Sequence, residues 1–99
     1  ELYQLLQNGT GDRPLVLDVR EPWEFKQGHV PGAQLIPLGE LRGRLSELNP
    51  EQSVAVICAS GSRSQSAAAL LGQQGFKTVY NVLGGTLYWM QTGLPLEYN

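Results

Sequence analysis

The sequence predicts an α/β domain built on a mainly parallel sheet with helices on both faces. Three observations lead there. Short apolar runs alternate along the chain with stretches of helical spacing, the pattern of repeated β-α units. The runs Leu15-Val16-Leu17-Asp18-Val19 and Val54-Ala55-Val56-Ile57 are almost continuously apolar, as in strands covered on both faces. The second run stops at the only cysteine, Cys58, where small polar residues replace the apolar ones.

The elements follow in order. Leu2, Leu5 and Leu6 have helical spacing, and Asn8-Gly9 ends that stretch. Leu15 to Val19 is the first strand. Pro22 starts a short helix through Gln27, with Gly28 as its stop. Ala33 to Ile36 is a second short strand. Leu38, Leu41, Leu45 and Leu48 recur at intervals of three, four and three, which predicts one amphipathic helix closed by Asn49-Pro50. Ser53 to Ile57 is the central strand. An alanine-rich helix runs from Gln65 to Gln74, with Gly75 just past its end. Thr78-Val79-Tyr80 is a further strand, Leu83-Gly84-Gly85 a turn, and Thr86 to Thr92 a closing helix that carries Trp89.

Composition narrows the function. Ninety-nine residues with 41% hydrophobic content make one folded domain. Residues 1–99 are expected to form a single domain; the first residue is Glu1, not methionine, which fits a chain either trimmed or cut from something longer, with no signal peptide at Glu1-Leu2-Tyr3. A net charge of −2 without a basic run gives no footprint for nucleic acid. No stretch has the length of a membrane span, so no membrane partner is expected. One cysteine and one histidine supply neither a disulfide nor a conventional zinc site. No metal and no cofactor is expected, and the expected location is cytoplasmic.

In folds of this class ligands gather beyond the carboxyl ends of the strands. Cys58 lies at such an end, and so do Asp18 and Arg20. A strand that turns directly into a helix leaves N–H groups without partners, and these favour an anion. A thiolate is such an anion. The segment Cys58-Ala59-Ser60-Gly61-Ser62-Arg63-Ser64 is therefore expected to lower the thiol pKa and cradle the sulfur with the N–H groups of Ala59 to Ser64, with small side chains leaving the bowl open. A buried cysteine acting as a small hydrophobe is the competing view, weakened by the polar residues that follow it. Arg63 either draws an anionic donor or points away to solvent or a carboxylate. Ser64 is expected to cap the helix. Asp18 and Arg20 are read first as structural, with Asp18 accepting backbone N–H bonds and Arg20 pairing with Glu21 or Glu24. A contribution of Arg20 to the potential of the cleft is the alternative. His29 is expected to be a hydrogen-bonded anchor rather than a base. Trp89 and Phe25 are assigned to the core, Trp23 to a partly exposed position, and Gly84-Gly85 to tight backbone packing.

Three patches then resemble the rhodanese family: Leu17-Asp18-Val19-Arg20-Glu21-Pro22-Trp23-Glu24-Phe25 with Gly28-His29-Val30-Pro31-Gly32-Ala33, the loop Cys58 to Ser64, and Gly84-Gly85 with Trp89. The resemblance runs from about residue 15 to residue 89. It implies a five-stranded, mainly parallel sheet. It also implies a sulfurtransferase in which a small-molecule donor, thiosulfate or a persulfide, leaves its outer sulfur on Cys58, and cyanide, a thiol or a protein acceptor removes it. Cysteine-dependent phosphatases and arsenate reductases separate cysteine and arginine by five residues, whereas Ala59 to Ser62 are four. A shorter ring fits one sulfur better than a tetrahedral oxyanion. The competing class is a non-enzymatic, sulfur-relay or regulatory module of a larger protein.

Overall fold

The computed structural model describes residues 13–98. The expected helix containing Leu2, Leu5 and Leu6 lies outside them. Four strands form the sheet: β1 (Leu15–Asp18), β2 (Gln34–Leu35), β3 (Val54–Ile57) and β4 (Val79–Asn81). All are parallel, in the order β2-β1-β3-β4. Leu15 lies opposite Val54 and Asp18 opposite Ile57, while Val56 lies opposite Asn81. The tips of β1, β3 and β4 therefore share one edge, as the parallel connections require.

The four strands read from the residues are the four that form. The five-stranded sheet implied by the resemblance is corrected to four among the described residues. No further segment between 13 and 98 joins the ladder, and residues 29 and 97 meet only in an isolated antiparallel bridge.

Side chains alternate across the sheet with period two. Leu17, Val19, Val54, Val56 and Cys58 face a core shared with Ile36, Leu41, Leu48, Ala67, Leu71 and Phe76. Val16 and Ile57 face the other way, onto Val30 and Trp89. Helices cover both faces: α2 (Leu38–Leu41) and α3 (Ser62–Gln73) on the first, α4 (Gly85–Gln91) on the second. The short helix α1 (Pro22–Lys26) follows β1, and no residue in it is fully buried. Phe25, expected in the core, is half-buried and stacks on His29 at a centroid distance of 3.5 Å. Trp23 is 63% exposed and Trp89 is buried, as the sequence predicts.

The single helix expected over residues 38–48 breaks in two. α2 ends at Leu41, and a 3-10 segment continues from Arg42 to Glu47 with Arg44 off helical geometry at φ −122°. Gly39 and Gly43 weaken helix propensity in this stretch. Arg44 is drawn into ion pairs with Glu40 and Glu47, both at 2.8 Å. The leucine spacing still serves packing, since Leu41 and Leu48 are buried and Leu38 and Leu45 lie against the same core.

Candidate active site at the end of strand β3

Cys58 follows β3 directly, and the chain turns at once into α3. Gly61 makes the turn possible: it is the residue before the helix and has φ +109°, a region L side chains rarely adopt. This turn brings the Gly61 N–H to 3.1 Å from Cys58 Sγ. The Ser64 N–H, in the first turn of α3, reaches the same sulfur at 3.3 Å. The sulfur thus occupies the anion position at a helix N-terminus. The Ser64 side chain adds a third polar neighbour, with Oγ 3.4 Å from Sγ.

Opposing effects act on the thiol. Burial pushes its pKa up. Hydrogen bonds from the Ser64 hydroxyl and from the N–H groups of Ser64, Gly61 and Ser60 push it down, and together they prevail, leaving it below the ordinary thiol value. The expected cradle is narrower than Ala59 to Ser64. The closest donors to sulfur are the Gly61 and Ser64 N–H groups, at 3.1 and 3.3 Å. The bowl is also less open than expected. Cys58 is only 1% exposed, since the turn at Gly61 folds the loop over the sulfur, while Ser60 and Ser62 form an exposed rim.

Ser64 does not take the N-cap, which is Gly61. It is fully buried, and its hydroxyl lies 3.1 Å from the Gly61 carbonyl and 2.5 Å from Asn81 Oδ1. Arg63 takes the carboxylate among its expected partners. Its Nη1 and Nη2 donate to Glu24 Oε1 and Oε2 at 2.7 and 2.9 Å, tying the loop to α1. Hydrogen bonds from Arg63 hold the Glu24 carboxyl at about 2, against a burial effect that raises it and with help from the Glu21 N–H.

Glu24 carries a pH prediction. Its folded pKa lies below the ordinary 4.5, so its stabilising contribution is complete above about 4.5 and disappears as the pH falls towards 2. Denaturant unfolding of wild type and Glu24→Gln over that range should show the stability gap between them closing with acid. A pH-independent gap would disprove the coupling.

Asp18 and Arg20 do not reach the loop. Asp18 accepts the Arg20 N–H at 3.0 Å, as expected, but Arg20 pairs with Asp18 rather than with Glu21 or Glu24. Its Nε and Nη2 fork onto the Asp18 carboxylate, and Nη2 also donates to the Gly28 carbonyl at 2.9 Å. Both residues are buried, and a buried guanidinium takes the carboxylate that shares its enclosure rather than an exposed one. His29 is an anchor: Nδ1 donates to the Phe25 carbonyl at 2.8 Å, and its backbone exchanges two 2.8 Å hydrogen bonds with Glu97.

Four neighbours of the site escaped the sequence reading: Glu24, Asn81, Thr86 and Leu87. Glu24 is 39 positions from Arg63, and nothing local signals the pairing. Asn81 closes β4, one residue beyond the predicted strand, and the strand-end rule could have flagged it. Thr86 N–H donates to the Cys58 carbonyl at 2.8 Å and Leu87 N–H to the Ala59 carbonyl at 3.0 Å, so α4 holds the loop from below. Gly85 allows this approach. A Cβ there would collide with the carbonyl oxygens of Cys58 and Ala59, the latter at 2.5 Å.

Among the described residues no group of three or more His, Cys, Asp or Glu side chains is placed to hold a metal, and no helix is long and apolar enough to cross a membrane.

Comparison with known proteins places this architecture. The chain is 40% identical over 82 residues to a sulfurtransferase of Allochromatium vinosum, covering 83% of this chain and 77% of that protein. It is 47% identical over 74 residues to YrkF of Bacillus subtilis, covering 75% of this chain; it spans only 40% of YrkF. The crystal structure of a rhodanese-related protein from Thermoplasma volcanium superimposes with a TM-score of 0.85 at 36% identity, covering 95% of this chain and 92% of the other. A family model described as Rhodanese-like domain matches residues 1–92. With this match across the three patches and around the cysteine turn, the chain belongs to the family of rhodanese-like domains.

Proposed function

We propose that this protein is a sulfurtransferase that carries sulfane sulfur on Cys58, with thiosulfate as a competent donor. The observation that carries this reading is the convergence of the Gly61 and Ser64 N–H groups on Sγ at 3.1 and 3.3 Å. Such donors favour a thiolate, and they suit an anionic persulfide at the same helix end.

In the first half-reaction the Cys58 thiolate attacks the outer sulfur of thiosulfate. The S–S bond of the donor breaks, its electron pair leaves with sulfite, and a Cys58 persulfide anion forms. In the second, an acceptor lone pair attacks the terminal sulfur. The Cys58 S–S bond breaks, its electrons return to the thiolate, and the acceptor departs as thiocyanate or as a new persulfide. The scheme is covalent and ping-pong, and its attacking species is the thiolate that the Gly61 and Ser64 N–H groups favour. With a single cysteine the chain cannot discharge its own persulfide into an internal disulfide, so the acceptor is external: cyanide, a small thiol or a protein thiol.

Phosphoryl transfer is the weaker reading. The nearest N–H groups bond the sulfur itself, and both terminal nitrogens of Arg63 are committed to Glu24, so no guanidinium faces the oxygens of a phosphate.

The test is mass spectrometry of the protein after incubation with thiosulfate and removal of excess donor. The expected result is a gain of one sulfur atom on the peptide carrying Cys58, discharged by cyanide with release of thiocyanate. Unchanged mass under these conditions overturns the reading.

A further inference from the structure

Beyond the cysteine loop, we infer that Asn81 is a positioning residue for Cys58: it anchors the Ser64 hydroxyl and governs whether that hydroxyl donates to the sulfur. The proposal rests on the assignment of Cys58 as the reactive thiol. Four polar groups meet here on three elements. Cys58 follows β3, Ser64 lies in the first turn of α3, Gly61 is the turn between them, and Asn81 ends β4. Ser64 Oγ lies 3.4 Å from Sγ, 3.1 Å from the Gly61 carbonyl and 2.5 Å from Asn81 Oδ1. Ser64 is fully buried, so no bulk water competes.

A hydroxyl has one proton and two lone pairs. Three acceptors surround this one, and it serves one of them at a time. When Cys58 is a thiol, S–H donates to Ser64 Oγ and the hydroxyl donates to Asn81 Oδ1. When Cys58 is a thiolate, the hydroxyl is needed at the sulfur. Turning the Asn81 amide over then presents its NH₂ to Ser64 Oγ, which fills a lone pair and leaves the proton for sulfur. An amide suits both states because it both donates and accepts. A carboxylate only accepts, and a methyl group does neither. Among the groups that lower the Cys58 thiol pKa, the Ser64 hydroxyl is the largest, so its orientation matters to nucleophilicity. The charged groups nearest the loop, Arg63 and Glu24, pair with one another and not with Asn81, and Arg63 also acts on Cys58 through space.

The experiment is the pH dependence of Cys58 alkylation by iodoacetamide, a readout independent of sulfur transfer. Asn81→Ala is expected to slow alkylation at neutral pH by roughly three- to tenfold and to move the profile to higher pH, the range for losing one ordinary hydrogen bond. Ser64→Ala should act in the same direction. The double variant should be no slower than Ser64→Ala alone, because Asn81 acts through Ser64. Asn81→Asp, nearly isosteric, should give an equal or larger shift, and it carries the test if Asn81→Ala fails to fold. A wild-type alkylation profile in both Asn81 variants overturns the proposal, and so do Asn81→Ala and Ser64→Ala effects that multiply in the double variant. If the profiles shift as expected while thiosulfate leaves no sulfur on wild type, the positioning role stands and the sulfurtransferase reading falls.

Discussion

Cys58→Ser should eliminate thiosulfate:cyanide sulfur transfer, a loss of about three orders of magnitude or more that returns the reaction to its uncatalysed rate. In the proposed scheme the sulfur is the atom that forms and breaks both S–S bonds, and that scheme has no second nucleophile, since this is the only cysteine in the chain. A serine hydroxyl is similar in shape and can accept from Gly61 and Ser64 N–H, the groups that now face Sγ. The fold should therefore persist, with stability changed by about 1 kcal/mol or less. The two readouts must separate, with activity gone and the unfolding midpoint nearly unmoved. Residual activity above background would place the chemistry elsewhere.

The second large effect is structural and lies outside the loop. Gly85→Ala is expected to destabilise the domain by about 3 kcal/mol and to lower activity with it. Gly85 has φ +57°, already unfavourable for a side chain, and its missing Cβ is the space in which the Cys58 and Ala59 carbonyls sit. The added methyl group would have to push α4 off the loop, breaking the bonds from Thr86 and Leu87. Gly32→Ala is the control for conformational strain alone, since φ there is +81° but a Cβ meets nothing within 4 Å. If denaturant unfolding gives the two variants equal losses, steric contact with the loop is not what Gly85 avoids.

Much of this was legible in the sequence, for a physical reason. Strand and helix patterns here are short and clean. The run 54–57 is fully apolar and fully buried, and the helix after the loop shows its buried face at Ala67 and Leu71. The position of Cys58 follows from chain order alone, because a residue after a parallel strand must lie at the carboxyl edge. The register of the loop was read less well. Placing the helix start at Gln65 kept Ser62, Arg63 and Ser64 outside it, whereas they form its first turn. That shift of three residues is why Ser64 touches the sulfur instead of capping a helix, and why Arg63 is carried across to Glu24. Long-range pairs left no local signal. The Asp18–Arg20 fork depends on both groups being buried together, and charge spacing alone points just as readily to Glu21 or Glu24.

The way α4 meets the loop has one more consequence. The first-turn N–H groups of a helix are ordinarily left to water or a cap; here two of them hold the carbonyls of Cys58 and Ala59, one on each side of the Ala59 Cα. The floor beneath the nucleophile is therefore stiff, while its rim, Ser60 and Ser62, faces solvent. In the proposed chemistry a reactant would meet the sulfur across that outer arc, over a peptide that α4 holds in place. The proposed scheme thus divides entry and aim between adjoining residues, the exposed Ser60 and Ser62 on one side and the tethered Cys58 and Ala59 carbonyls on the other.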